Sequence, residues 1–354
     1  MGSSYRIRGS MVAGLAVIST ALVVLWVRGG TGGGDPADPI DYIRRSLEEV
    51  PIVCLAEGGH AAREPHLFLR RLLSDRSILE AVDVIIVEFA AGSNQTILDA
   101  YIRGEEVPFA TLSQVWRDTG QSPNGPWDSP LYEELLQVIR DANRDLPLDK
   151  KVRVIAGDPP IDWERIQTRE DFSAARIPRD SYAADLVMEQ AFQLGKRVLI
   201  IFGGAHLPRV PIAPDDPRNS LTYRVLSQHP DAVRAISFLS PEDLGVEDRI
   251  GELVTETVYS THSHWVGDIN GGLVFPLIYS RVTNPSTGEE EWQEVTLYAD
   301  YQVRDLFDAL IYIGPSNAWE TVPRSYDPIR DEAYLAELNR RSMIRFGRPF
   351  NSGG

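Results

Sequence analysis

Four short apolar runs, each with a titratable residue at or near its end, constrain this chain most. Residues 52–56 lead into Glu57-Gly58-Gly59-His60, and residues 83–89 carry Glu88. Residues 151–156 lead into Gly157-Asp158-Pro159-Pro160, and residues 197–202 into Gly203-Gly204-Ala205-His206. Short continuous apolar runs bounded by turn residues read as strands buried on both faces. Between them lie stretches of helical period. One follows His60 to about Leu79, with Leu67, Phe68, Leu72 and Leu73 as its buried stripe; others cover 94–103, 131–144, 179–194 and 219–227. Residues 40–49 read as a helix leading into the first strand, and 232–238 as a fifth strand. Strands alternating with helices predict an α/β fold, a mostly parallel central sheet flanked by helices.

In such a sheet the strands' carboxyl ends share one edge, where ligands bind. Glu57 with His60, Glu88, Asp158 and His206 are therefore expected to converge there without being close in sequence. His60 and Glu64 are four apart, so a helix starting at once would put both on one face. A turn with capping carboxylates would explain any one of these ends alone. Four in register are harder to explain so, because each desolvated charge is costly unless paired or used. Two chemistries suit the set. In one, a histidine acts as general base on water, a carboxylate orients it and a second histidine stabilises the oxyanion. In the other, His60, His206, Glu57 and Glu88 hold zinc, manganese or iron that activates the water.

The remaining signals exclude more than they add. The formal charge is −16, from 51 acidic and 35 basic residues, which argues against a nucleic-acid partner. The single cysteine, Cys54, lies inside the first strand and reads as inert core; it rules out an intrachain disulfide. No Gly-x-Ser-x-Gly elbow is present. His66 points away from His60, His229 precedes a proline in a turn, and His262 and His264 read as a solvated loop pair. Beyond residue 240, strands are expected at 274–278 and 310–313, a hairpin about Asn284–Gly288, and a terminal helix over 331–346.

Residues 11–27 are free of charge, with Arg6 and Arg8 before them and Arg28 after. They read as an uncleaved signal anchor within residues 1–28, or as a cleaved signal peptide. Residues 29–39 read as a flexible linker and 40–354 as a single α/β domain, its motifs within 50–240 and 241–354 completing it. The expected setting is the cell envelope with the body outside the cytoplasm, or secretion if the signal is cleaved.

Ala56-Glu-Gly-Gly-His60-Ala-Ala-Arg-Glu64 resembles the Gly-Glu-x-x-His-x-x-x-Glu motif of erythromycin esterases. Val87-Glu88-Phe89 is similar to their second-strand glutamate, and Gly203-Gly-Ala-His206 to their later glycine–histidine motif. The same two histidine motifs resemble the ChaN and Tiki branches of one superfamily. The resemblance implies His60 as general base, Glu57, Glu64 and Glu88 as site carboxylates and His206 as second histidine, with Asp158 a looser match. It implies a hydrolase of ester or amide type acting on a small molecule or peptide; the alternative it implies is a haem- or metal-binding envelope protein. Ala56 stands where the motif has glycine, Pro65 where it has an aromatic residue, and Arg70 is nearest to an arginine expected one turn on.

Overall fold

The computed structural model describes residues 37–147, 150–242, 244–274, 278–283, 290–322 and 331–350. The sequence-expected anchor, and the linker up to residue 36, lie outside the described residues. Among those described, no helix is long and apolar enough to cross a membrane. Residues 37–39, expected in the linker, are already part of the fold. Ala37 bridges to Val258, Asp38 caps the first helix by accepting from the Asp41 N–H, and Pro39 begins that helix.

The strands are β1 Ile52–Ala56, β2 Val84–Ala91, β3 Arg153–Asp158, β4 Val198–Phe202, β5 Val233–Phe238, β6 Thr257–Ser260, β7 Ile278–Thr283, β8 Glu290–Val295 and β9 Ala309–Tyr312. Seven of them form one sheet in the order β3-β2-β4-β1-β5-β9-β6. All pairings are parallel except β9 with β6. Every residue of β1, β2 and β4 is buried, the signature of a sheet covered on both faces. From β1 the chain goes out to β2 and β3, returns to β4, and passes to β5 on the other side of β1. That change of direction leaves a crevice beyond the carboxyl ends of β1 and β4.

Three elements differ from the sequence expectation. The helix after His60 spans Arg63–Ser74 and stops where Asp75 caps a separate helix, Arg76–Ala81. Leu67 is 46% exposed, off the buried stripe. Val274 ends a 3₁₀ turn, and the strand expected at 274–278 begins at Ile278 instead. β6 has no sequence signal, being a four-residue antiparallel edge strand. The β7–β8 hairpin does form, its turn lying outside the described residues.

Residues beyond 240 complete the sheet through β9 and β6, and the terminal helix Glu332–Phe346 clamps the 117–122 segment. Arg341 donates to Asp118 at 2.7 Å, Glu337 at 2.6 Å and the Arg117 carbonyl at 2.8 Å, and lies over the Trp163 ring. Arg117 pairs with Asp128 at 3.0 Å, which also accepts from the Tyr334 hydroxyl. This clasp fixes the loop that carries Gly120, Gln121 and Trp127 to the sheet edge.

Candidate active site

β1 delivers Glu57 directly to the crevice, its N–H donating to the Phe202 carbonyl of β4. Gly58 follows at φ +81°, a left-handed conformation in which a Cβ would lie 2.5 Å from Pro65. The chain does not enter a helix at His60. Ala61 also takes a left-handed conformation, φ +57°, and the helix starts only at Arg63. Non-glycine residues occupy that region at a cost of about 1 kcal/mol, so the surroundings must hold the turn in place. They do so from two sides. The Tyr132 hydroxyl accepts from the Ala61 N–H at 3.2 Å. The segment 320–322 runs alongside, with Val322 N–H to Ala61 O and Arg63 N–H to Glu320 O, both at 2.8 Å.

The turn brings His60 Nδ1 onto Glu57 Oε1 in a hydrogen bond, while the ring stands edge-on to Trp127 at 4.9 Å. Glu57 is 1% exposed and His60 44%, a buried carboxylate behind an accessible imidazole. Burial pushes the Glu57 carboxyl up, offset in part by His60, while the nearby Glu88 charge adds to the rise. For His60, burial acts downward, yet the Glu57 hydrogen bond and the Glu57 and Glu88 charges outweigh it and raise its pKa.

Glu88 reaches the same place from β2. The β2–β3 register shifts between Val87 and Ala91, an irregularity of the kind that re-aims side chains beside sites. Glu88 Oε2 accepts from the Gly203 N–H at 2.7 Å and Oε1 from Arg179 Nη1 at 2.9 Å. His206 Nε2 stands 3.4 Å from Oε1, and its Nδ1 meets Asp180 at 2.9 Å. Burial would raise the Glu88 pKa, but the His206 and Arg179 charges prevail and hold the carboxyl well below its ordinary range. The same pairing acts on His206. Burial lowers its pKa, Glu88 and Asp180 outweigh that, and it is pushed up to about 10, so the ring is a cation at neutral pH. Gly203 leaves the room this needs, since a Cβ there would come within 3.1 Å of Glu88 Oε2 and His60 Cε1.

Asp158 closes the cluster from β3, accepting from Gly120 N–H at 2.6 Å and Arg179 Nε at 2.8 Å. Burial raises its pKa against the pull of Arg179. The structure thus brings together Glu57, His60, Glu88, Asp158 and His206. It leaves Glu64 outside, where its Oε2 accepts from the Glu320 N–H at 2.8 Å. Arg70 is also outside, paired with Glu134 at the surface. The arginine at the site is Arg179, with Asp180 beside it at the start of a helix that was read from its periodicity alone. Tyr132 and Trp127 arrive from a helix and a loop; neither position has a motif. His262 and His264 share no strand. His264 sits in a turn, its ring 4.4 Å from Tyr259.

Glu57, His60 and Glu88 each place a donor atom within 4.8 Å of the others, one nitrogen and two oxygens. By donor type they fit zinc, manganese or iron. The charges fit less well, because both Glu88 oxygens already accept hydrogen bonds and two cations stand against that carboxylate. His206 has both nitrogens engaged and falls outside the group.

His60 also lines a cleft of about 470 Å³ beyond β1, β4 and β5, bounded by Gly204, Ser237, Phe238, Glu242 and Trp319 among others. Such a volume suits a small organic molecule. A larger groove of about 870 Å³ runs between Asn94, Trp163 and Arg340; none of the clustered site residues lines it.

No protein-family model matches the sequence, and no curated protein matches it. Among solved structures, a protein from Bacillus cereus matches with a TM-score of 0.51 at 13% identity, over 80% of this chain and 92% of that one. A mutant of erythromycin esterase in its open conformation matches at 0.44 and 12% identity, over 79% and 94%. ChaN of Campylobacter jejuni, with haem bound cofacially, matches at 0.36 and 10% identity, over 56% and 85%. The first establishes a shared fold. Erythromycin esterase and ChaN, the branches the motifs resemble, both stand among the chain's structural neighbours.

Proposed function

We propose that the protein is a hydrolase of esters or amides of small molecules, with His60 as general base. The observation that carries this is the Glu57–His60 pair, a buried carboxylate holding Nδ1 of an imidazole whose other face lines a cleft. A carboxylate in that place fixes the tautomer, so Nε2 is the basic nitrogen. Water gives its proton to Nε2 as its oxygen attacks the carbonyl carbon. The tetrahedral intermediate collapses by breaking the bond to the alcohol or amine, which takes that proton from His60. Glu57 is the orienting partner and stabilises the imidazolium. The cationic His206 and Arg179 behind Glu88 support the negative charge that develops on the carbonyl oxygen.

His60→Ala should lower kcat/KM on an ester panel by at least about a hundredfold. The pH profile should rise with a midpoint above the ordinary histidine value of 6.5, because His60 must lose its proton and its pKa is raised. It should fall again near pH 10 as His206 becomes neutral. A rate that His60→Ala leaves intact would remove the assignment.

The Glu57, His60 and Glu88 donors favour a second reading, metal-dependent hydrolysis. Stoichiometric zinc, manganese or iron by elemental analysis, lost in His60→Ala, would replace the unaided base. A haem-binding role predicts a Soret band on titration with haem that His60→Ala abolishes. The apolar residues 11–27 support a membrane-anchored body outside the cytoplasm, tested by fractionation and amino-terminal sequencing of the expressed chain.

A further inference from the structure

We infer that the cleft beside His60 carries a subsite for a cationic amine, built from Glu242, Trp319 and Phe238. The inference rests on the hydrolase reading for its reaction and names the substrate class, an ester or amide whose other end is an ammonium group.

Glu242 in the cleft wall has one carboxylate oxygen satisfied and one not. Glu242 Oε2 accepts from the Ser316 N–H at 3.1 Å and from its hydroxyl at 2.8 Å, which fixes the carboxylate. Among the described residues, Glu242 Oε1 is buried without a partner. A buried carboxylate that is only half satisfied costs free energy, so its place in a cleft wall favours a ligand that brings positive charge.

The rest of the lining favours a positive group. Among the described residues, Glu242 and His60 are the only titratable ones that line the cleft, and no lysine or arginine does. Phe238 and Trp319 also line it and meet edge-to-face at 6.3 Å. Aromatic faces beside a carboxylate attract an ammonium group by its charge, whereas a substrate carboxylate would be repelled. The same cleft therefore holds the base and, apart from it, a fixed site for a positive end.

The test uses acetylcholine and its neutral isostere 3,3-dimethylbutyl acetate, with tetramethylammonium as a ligand that cannot react. Each ester consumes one water and yields acetate and the alcohol. The wild type should prefer the cationic ester at least about tenfold in kcat/KM, and Glu242→Gln should bring that ratio close to one. Tetramethylammonium should bind wild type and His60→Ala alike by calorimetry, and bind Glu242→Gln and Trp319→Leu at least about tenfold more weakly. Thermal melts of the variants separate loss of the subsite from loss of the fold. Tetramethylammonium binding that needs Glu242, with neither ester hydrolysed, would keep the subsite and remove the hydrolase. Equal hydrolysis of both esters, or no tetramethylammonium binding to folded wild type, would overturn the subsite and leave the hydrolase standing.

Discussion

Among the described residues, two clusters of charge are arranged differently. In the clasp under the terminal helix, Arg117 and Arg341 meet Asp118, Asp128 and Glu337 in direct pairs, and tyrosine and backbone groups take up other bonds. At the sheet edge, Glu57, Glu88, Asp158 and Asp180 outnumber the fixed cation Arg179, and two histidines offset part of the difference. Charges matched by arginine have nothing to exchange; they hold structure. Charges matched by histidine can gain or lose a proton within the working pH range. The protein keeps its movable protons where the cleft is and its immovable pairs where the chain must be pinned.

This contrast can be broken. The largest effect is expected from His60→Ala, which should cost at least about a hundredfold in rate while shifting stability less than Arg341→Ala, because Glu57, its carboxyl pushed up by burial, can take a proton once unpaired. Arg341→Ala should do the reverse. Removing a guanidinium that is 6% exposed takes the cation from Asp118 and the donor from the Arg117 carbonyl, while Glu337 keeps Arg340; it should destabilise by about 3 kcal/mol in urea melts, with the pH profile of the surviving activity unchanged. A shift in that profile would show that the clusters are not separate.

Acid sensitivity sharpens the point. His66 is fully buried, edge-on to Tyr132, and neither ring nitrogen has a partner among the described residues. Burial, helped by the His60 charge, pushes its pKa down to about 4. The unfolded chain therefore binds a proton that the folded one refuses. Stability is full above pH 6.5 and falls as pH drops towards 4, by up to about 3 kcal/mol. His66→Phe should flatten that slope in urea melts at pH 4 to 7. His206 has the opposite sign. Its contribution is complete below pH 6.5 and is lost as pH rises through about 10. The smallest effect is expected from Glu64→Ala, which removes one partly exposed hydrogen bond to Glu320 N–H and should cost below about 1 kcal/mol. A large loss of activity there would return Glu64 to the site.

The parallel strands β1 to β5 were legible because continuous burial writes itself as apolar runs ended by glycine or proline. Glu57, Glu88, Asp158 and His206 were legible as their ends. The helix after His60 was misread because the left-handed Ala61 leaves no trace in a sequence where alanine favours helix. That one turn separates His60 from Glu64. Arg179, Asp180, Tyr132 and Trp127 come from helices and a loop, where a charged or aromatic residue looks the same whether it faces water or a buried carboxylate. β6 was too short and too close to the edge to show alternation. The clasp joins residues more than two hundred positions apart, which no local pattern encodes.

The segment 320–322 pairs with the turn at Ala61, and it follows directly from Trp319. The proton acceptor and the aromatic wall are therefore tied by the same rungs of backbone. They behave as the two jaws of a gauge set to one opening. Molecules would be sorted by length between the bond to be cut and the group that is gripped, and lengthening the 316–319 loop would reset the gauge without touching the chemistry.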